Sequence, residues 1–250
     1  MTKKNVSIII PARYGSTRLP GKPLADICGV PMIVRVVQRA LEVPSVETVA
    51  VATDDERIRK VVRDAGFEAV MTSRTHPSGT DRIAEAARIL GLSGDDVVIN
   101  VQGDQPLFDI DAISAMVRLL LKNDAFVMTT AACPLDTQGA RDPNRVKVVV
   151  DEGDSALYFS RSVIPFDRDG ILKGETAPYL RHLGLYCYRV EFLQEYVGWP
   201  EGRLESIERL EQLRVLERGF KIGVIRVKEA PPEVDTQEDL EKIRNHFQIN

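Results

Sequence analysis

The residues able to do chemistry in this 250-residue chain gather in the turns that follow its apolar runs. The first run, residues 6–10, leads through Pro11 into a turn that holds Arg13, Arg18 and Lys22, two glycines (Gly15 and Gly21), the hydroxyls of Ser16 and Thr17, and no acid. Residues 1–25 carry five Lys or Arg and no Asp or Glu. Backbone N–H groups, hydroxyls and cationic side chains in one turn suit an anion, above all phosphate oxygens; the plainer reading is a solvated basic loop. The turn is not a Walker A loop, because Gly15 is followed six positions later by Gly21, Lys22 and Pro23, with a proline in the Ser/Thr place. GxGxxG is absent too, which disfavours a dinucleotide-dependent oxidoreductase.

Two carboxylates occupy comparable places. Asp104 follows the apolar run 97–101, with Gly103 before it allowing close backbone approach, and Asp235 lies between the apolar run 222–227 and a final helical stretch. Mg²⁺ is held by one or two carboxylates together with waters and substrate phosphates, so this pair suffices for a metal-bound nucleotide. Each also has a plain alternative: a turn for Asp104, and the N-cap of the last helix for Asp235. Gln105 follows Asp104, so no third carboxylate stands there. In residues 76–82, Ser78, Gly79 and Thr80 can cap a helix or bond a base or ribose, and Arg82 can face an anion. His76, His182 and His246 are isolated and make no metal-ligand spacing.

The elements that must position these turns follow from periodicity. Residues 5–10, 48–53, 68–71, 97–101 and 126–132 are Val- and Ile-rich runs with little alternation, as expected of strands buried on both faces of a parallel sheet. Residues 32–41, 55–65, 81–90 and 109–121 have helical spacing. Their alternation predicts an α/β, Rossmann-like doubly wound, mostly parallel sheet, with ligands beyond the carboxyl ends of its strands. Beyond residue 133 the strand-like runs 145–151, 156–160 and 182–188 predict a smaller mixed or antiparallel extension. Leu204, Ile207, Leu210, Leu213 and Leu216 suggest one helix over 204–218, followed by a strand at 222–227 and a helix at 236–247. One domain over residues 1–250 is expected, with the pattern of 1–132 interrupted over 133–220 and resumed over 221–250.

Composition bounds the partners. With 33 Lys and Arg against 37 Asp and Glu the formal charge is −4, and 44% of residues are hydrophobic, as in an ordinary globular protein. A chain of pI about 5.6 is a poor general binder of nucleic acid. The acid-free start is thus a local exception, while residues 229–241 hold six carboxylates, Asp235 among them. No run approaches the roughly 18 apolar residues of a membrane span, and the start reads as a first strand rather than a leader. Cys28, Cys133 and Cys187, odd in number and far apart, fit reduced, buried thiols and a cytoplasmic location.

With the 11–23 loop, the 76–82 loop and the Gln102-Gly103-Asp104 turn in this order, the sequence resembles the 3-deoxy-manno-octulosonate cytidylyltransferases, the CMP-Kdo synthetase family, along nearly its whole length. Residues 156–161, 180–184 with Tyr186, 210–216 and 234–236 extend the resemblance and separate it from sugar-nucleotide pyrophosphorylases that share the first loop. Family members often carry Glu where this chain has Gln105. The resemblance implies transfer of CMP from CTP to the anomeric hydroxyl of Kdo, with release of pyrophosphate, Mg²⁺ as cofactor, and a cytoplasmic homodimer serving lipopolysaccharide assembly. It implies a single nucleotidyltransferase domain, with 1–132 mainly nucleotide-binding, 133–220 mainly sugar-binding and dimerising, and 221–250 returning to the nucleotide-binding core. It assigns Arg13, Ser16, Arg18, Lys22, Ser78, Gly79, Arg82 and Gln102 to the nucleotide, Asp104 and Asp235 to the metal, and Arg161, His182, Tyr186, Glu211 and Gln212 to the sugar acid. Lys22, Asp104 and Asp235 form the implied catalytic set, and no residue stands out as a general base. Another acidic sugar as acceptor (8-amino-Kdo or a sialic acid), or a non-catalytic nucleotide-binding regulator, are the alternatives; the paired carboxylates with an intact basic loop speak against the second.

Overall fold

The apolar runs become strands, and most of the periodic stretches helices, in a computed structural model that describes residues 4–15, 19–44, 46–172 and 176–249. The chain divides into two units, the first made of Met1–Ser114, Arg189–Val197 and Pro231–Asn250, the second of Ala115–Tyr188 and Gly198–Ala230.

In the first unit the chain runs through β1 (Val6–Ala12), the short hairpin β2 (Asp26–Ile27) and β3 (Val30–Pro31), α1 (Met32–Leu41), β4 (Thr48–Thr53), α2 (Glu56–Asp64), β5 (Glu68–Met71), α3 (Gly79–Ile89) and β6 (Val97–Asn100). The four longer strands lie in the order β6-β1-β4-β5 and are all parallel. Ile8, Ile9, Ile10, Val51, Val98 and Ile99 are fully buried, which is why these strands carry apolar residues without alternation. Helix α1 turns Ile33, Val36, Val37 and Ala40 inward at helical spacing. Helix α2 is capped by Asp55, whose carboxylate accepts from Arg57 N–H, and it buries Ile58 and Val62 one turn apart. Helix α4 (Ile110–Lys122) begins in this unit and ends in the second.

The second unit contains β7 (Phe126–Leu135), the one-turn α5 (Thr137–Ala140), β8 (Lys147–Val150), β9 (Ala156–Ser160) and most of β10 (Tyr179–Arg189). After α6 (Val190–Val197) in the first unit it continues with α7 (Arg203–Glu208), α8 (Leu213–Glu217) and β11 (Lys221–Arg226), before α9 (Gln237–Ile249) closes the first unit. Its strands pair β11 with β7 in parallel, then β7 with β10, β10 with β8 and β8 with β9 antiparallel, the mixed extension expected from the pattern change after residue 133.

Two expectations need correction. The single helix over 204–218 is two short ones, α7 and α8, because Arg209 adopts φ 54° and breaks the ladder. A three-residue repeat steps back about 60° per member on a helix of 3.6 residues per turn, so five leucine-like positions wind around it instead of lining one face. Ile207 accordingly stands 67% exposed. Cys133 and Cys187 are buried free thiols, as expected, but Cys28 is exposed. Among the described residues no helix is long and apolar enough to cross a membrane.

Candidate active site

Chain order diverges at β1: β4 and β5 extend the sheet on one side and β6 adds on the other. Loops leaving the carboxyl ends of β1 and β6 therefore part there and leave a crevice, the place where α/β sheets bind ligands. A cleft of about 370 Å³ lies at that point, lined by Arg13, Gly15, Lys22, Gln102, Asp104 and Asp235 among others. Its volume falls within the roughly 300–1,000 Å³ range of small-molecule sites. Gly103 favours the close approach of the two loops, since a Cβ there would stand 3.1 Å from the Pro11 carbonyl oxygen, a tight contact.

The predicted catalytic set converges. Lys22 Nζ lies 2.5 Å from Asp104 Oδ2 and 3.1 Å from Asp235 Oδ1. The lysine is aimed by a tight turn: Gly21, at φ 70°, gives its N–H to Tyr14 O and accepts from Leu24 N–H, with Lys22 opening a single 3₁₀ turn. Asp235 reaches the same ammonium because its segment is docked on the β6 turn, Val234 N–H donating to Asp104 O at 3.0 Å and Gln105 Nε2 to Glu233 Oε1 at 2.9 Å. The cap of α9 is built without the Asp235 carboxylate. Thr236 Oγ1 accepts from Asp239 N–H, and Asp239 Oδ2 accepts from the N–H groups of Asp235 and Thr236 and from the Thr236 hydroxyl. These bonds hold the Asp239 carboxyl below the usual carboxylate range, the Thr236 hydroxyl contributing most. Of the two readings of Asp235, the capping one is thus taken over by its neighbours.

Arg13 donates to His76 O at 3.1 Å and so ties the basic loop to the 76–82 loop. That loop is pinned by Glu85, which accepts from Ser73 N–H at 2.7 Å and contacts His76 Nε2 at 2.5 Å. The Ser73 bond is the main cause of a lowered Glu85 carboxyl pKa. Ser78 caps α3, accepting from Asp81 N–H and donating to Asp81 Oδ2, and Gly79 opens the helix against Pro11. Gln102 lines the cleft and donates to Asn100 Oδ1. Arg82 is placed differently from a ligand-facing cation: it is fully buried, and its guanidinium donates to Thr72 Oγ1 and Asp54 Oδ2. Ser16 and Arg18 lie outside the described residues.

In the second unit a chain of contacts runs from Thr130 through His182 and Tyr186 to Gln212. The β10–β7 register shifts between Leu183 and Tyr186, a bulge that re-aims side chains. His182 packs edge-on against Phe159 at 4.9 Å and, tilted, against Tyr186 at 5.5 Å between ring centroids. Thr130 Oγ1 makes its shortest contact, 2.7 Å, with Leu185 O, which takes the only hydroxyl proton and leaves the oxygen to accept from His182 Nε2–H at 3.0 Å. Burial pushes the His182 pKa down to about 3, with Arg181 adding to the effect, so the ring is a neutral hydrogen-bonding group. Tyr186 OH donates to Gln212 Oε1 at 3.1 Å, and the buried Gln212 Nε2 has no partner among the described residues. Glu211 precedes it, half-buried, in the turn between α7 and α8 rather than on a helix face. The Arg161 guanidinium is occupied by the carbonyls of Glu208, Pro143 and Arg209. Thr130, Lys147 and Glu208 escaped sequence reading, because nothing in local spacing marks a strand hydroxyl, a buried lysine or a helix-end glutamate as partners of distant residues.

Among the described residues no three His, Cys, Asp or Glu side chains gather into a metal site of their own. Asp104 and Asp235, sharing one cation at hydrogen-bond distance, are a two-carboxylate set, which fits an ion completed by ligand oxygens and water and does not fit an all-protein cage. Cleft, basic turn and paired carboxylates at a switch point suit a nucleotidyltransferase, and residues 7–222 match the family described as cytidylyltransferase. Among relatives, the 3-deoxy-manno-octulosonate cytidylyltransferase of Acinetobacter baumannii is 50% identical over 245 residues, covering 95% of this chain and 96% of its own. That of Desulfatibacillum aliphaticivorans is 51% identical over 239 residues, with the same coverage of 95% and 96%. A solved structure of CMP:2-keto-3-deoxy-manno-octonic acid synthetase complexed with CTP aligns at a TM-score of 0.91 and 42% identity, covering 98% of this chain and 99% of the other. A cytidylyltransferase from Leptospira borgpetersenii, 18% identical at a TM-score of 0.66 over 99% of this chain and 88% of its own, shares the fold. The chain belongs to the 3-deoxy-manno-octulosonate cytidylyltransferase family.

Proposed function

We propose that this enzyme transfers CMP from CTP to the anomeric hydroxyl of Kdo, releasing pyrophosphate, with Mg²⁺, as a cytoplasmic homodimer that supplies lipopolysaccharide assembly. The observation that carries the reading is the meeting of Lys22, Asp104 and Asp235 in a cleft flanked by Arg13 and Gln102. In the reaction the sugar hydroxyl oxygen bonds to the α-phosphorus of CTP, the bond from that phosphorus to the bridging oxygen breaks, and the hydroxyl proton passes to solvent. Such a displacement relies on positioning and on charge stabilisation more than on covalent work by the protein. Asp104 and Asp235 would hold a divalent ion, which when bound would neutralise phosphate charge and lower the pKa of the acceptor hydroxyl. Lys22 and Arg13 stabilise negative charge on the departing pyrophosphate, Ser16 and Arg18 bring a hydroxyl and a cation of the same sequence segment to the phosphates, and Ser78, Gly79 and Gln102 shape the nucleotide side. Arg82 serves this side from within by fixing Asp54 and Thr72. The neutral His182, with Tyr186, Glu211 and Gln212, offers hydroxyl-bonding groups to the sugar acid, and Arg161 shapes their surroundings.

Mass analysis of the product formed from CTP and Mg²⁺ across a panel of acidic sugars tests the assignment. CMP-Kdo formed in preference to the CMP conjugates of 8-amino-Kdo and sialic acid is the expected result. Preferred conjugation of another acid overturns the choice of acceptor, and CTP binding with no conjugate at all overturns the enzyme reading.

A further inference from the structure

We infer that Glu208 is a positioning residue for the sugar acid. Resting on the functional reading above, the inference adds a residue to which that reading gives no role. Glu208 ends α7, and its carboxylate reaches across to the end of β9, where Oε1 accepts from Ser160 Oγ at 2.6 Å and Oε2 from Arg161 N–H at 2.9 Å. Its backbone carbonyl accepts from Arg161 Nε at 2.8 Å. Directly after it, Arg209 at φ 54° turns the chain into Glu211 and Gln212, and Gln212 Oε1 holds the hydroxyl of Tyr186. One side chain therefore fixes the separation of two chain segments, one carrying Arg161 and the other carrying Glu211 and Gln212.

The carbonyl of the same residue, Arg161, is held by a cation. Lys147 is fully buried on β8, and its Nζ donates to Arg161 O at 2.6 Å and to Asp142 O at 3.1 Å. The Arg161 backbone is thus held through its N–H by a carboxylate and through its C=O by an ammonium, an arrangement of charge-assisted bonds that are about twice as strong as neutral ones. Burial lowers the Lys147 pKa, while Glu208 and Asp142 oppose that effect. A carboxylate suits this place because it accepts from a hydroxyl and an amide at once. A Gln retains most of the geometry, one oxygen accepting from Arg161 N–H and the amide nitrogen donating to Ser160 Oγ, whereas Ala removes both ties.

The test is steady-state pyrophosphate release by the full chain with CTP, Mg²⁺ and Kdo, with the KM of each substrate measured separately for wild type, Glu208→Ala, Glu208→Gln and Ser160→Ala. Loss of bonds to a charged group predicts a Kdo KM raised about tenfold or more in Glu208→Ala, with the CTP KM within about twofold of wild type. Glu208→Gln is expected to restore the Kdo KM to within about threefold, and Ser160→Ala to raise it about threefold. Equal changes in both KM values, or an unchanged Kdo KM in Glu208→Ala, overturn the inference. If Glu208→Ala does not fold, a wild-type Kdo KM in Ser160→Ala overturns it and a raised one supports it. Wild-type protein that releases no pyrophosphate with Kdo contradicts the functional reading itself, and the same variants are then compared for Kdo binding by calorimetry. Weakened binding in Glu208→Ala keeps the positioning role, and unchanged binding removes it.

Discussion

The ammonium of Lys22 lies 2.5 Å from the carboxylate of Asp104 although 82 positions separate them in the chain. The contact joins the loop leaving β1 to the turn leaving β6, and Asp235 completes it from a third segment. Because these groups are only partly exposed, 13% for the Lys22 side chain and 30% for that of Asp104, removing the cation alters the cleft without opening the core. Lys22→Met is therefore expected to lower kcat for pyrophosphate release by about 100-fold or more, in the range of losing one preorganised electrostatic group. Circular dichroism melting should show a Tm close to wild type; a kcat within about threefold contradicts a direct role.

Asp235 and Thr236 are neighbours with separable duties. Asp235→Asn should lose nearly all transfer activity while leaving α9 capped. Thr236→Ala should keep activity within a few-fold but lose about 1 kcal/mol of stability, roughly 2–4 °C in Tm for a chain of this size. Reversal of the two phenotypes returns Asp235 to the role of a simple cap.

Arg82 tests the structural side of the nucleotide loop. Its guanidinium is buried, and Asp54 Oδ2 lies 2.9 Å away. Breaking such a pair by removing one partner leaves the other charge uncompensated, so Arg82→Met is expected to cost about 3 kcal/mol in urea unfolding. A cost below about 1 kcal/mol contradicts that role.

His182 supplies a pH signature. Its pKa is pushed down to about 3 in the folded chain from an ordinary 6.5. The unfolded chain binds this proton first on acidification, so the contribution of the neutral ring is fully present above about pH 6.5 and is lost as pH falls towards 3. The loss is about 1.4 kcal/mol per pH unit within that window. The stability difference between wild type and His182→Gln, whose amide can still donate to Thr130, is expected to shrink by about 2 kcal/mol between pH 6.5 and pH 5. A difference that does not move with pH contradicts the assignment of a buried neutral ring.

Much of this arrangement is legible without coordinates, for identifiable reasons. Strands β1, β4 and β6 are buried on both faces and announce themselves as unbroken apolar runs, so the ends that carry Lys22 and Asp104 are located by pattern alone. The split of residues 204–218 into α7 and α8 is not, because the left-handed turn at Arg209 is taken by a residue with no glycine-like mark. Arg82 misleads for a related reason: a cation beside a polar loop looks ligand-facing until Asp54, 28 positions away, is seen to claim it. Glu208 and Lys147 are invisible for the same reason, since their partners are set by the pairing of β8, β9 and α7 rather than by neighbours in sequence.

The central claim, that Asp104 and its partners in this cleft carry CMP transfer to Kdo, is tested most directly by pyrophosphate release from CTP with Mg²⁺ and Kdo, for wild type and Asp104→Ala side by side. Release by the wild type that requires Kdo and fails with UTP, falling at least about 1,000-fold in Asp104→Ala with the fold intact, is the predicted result. Equal release by Asp104→Ala, or release by the wild type without Kdo, would contradict it.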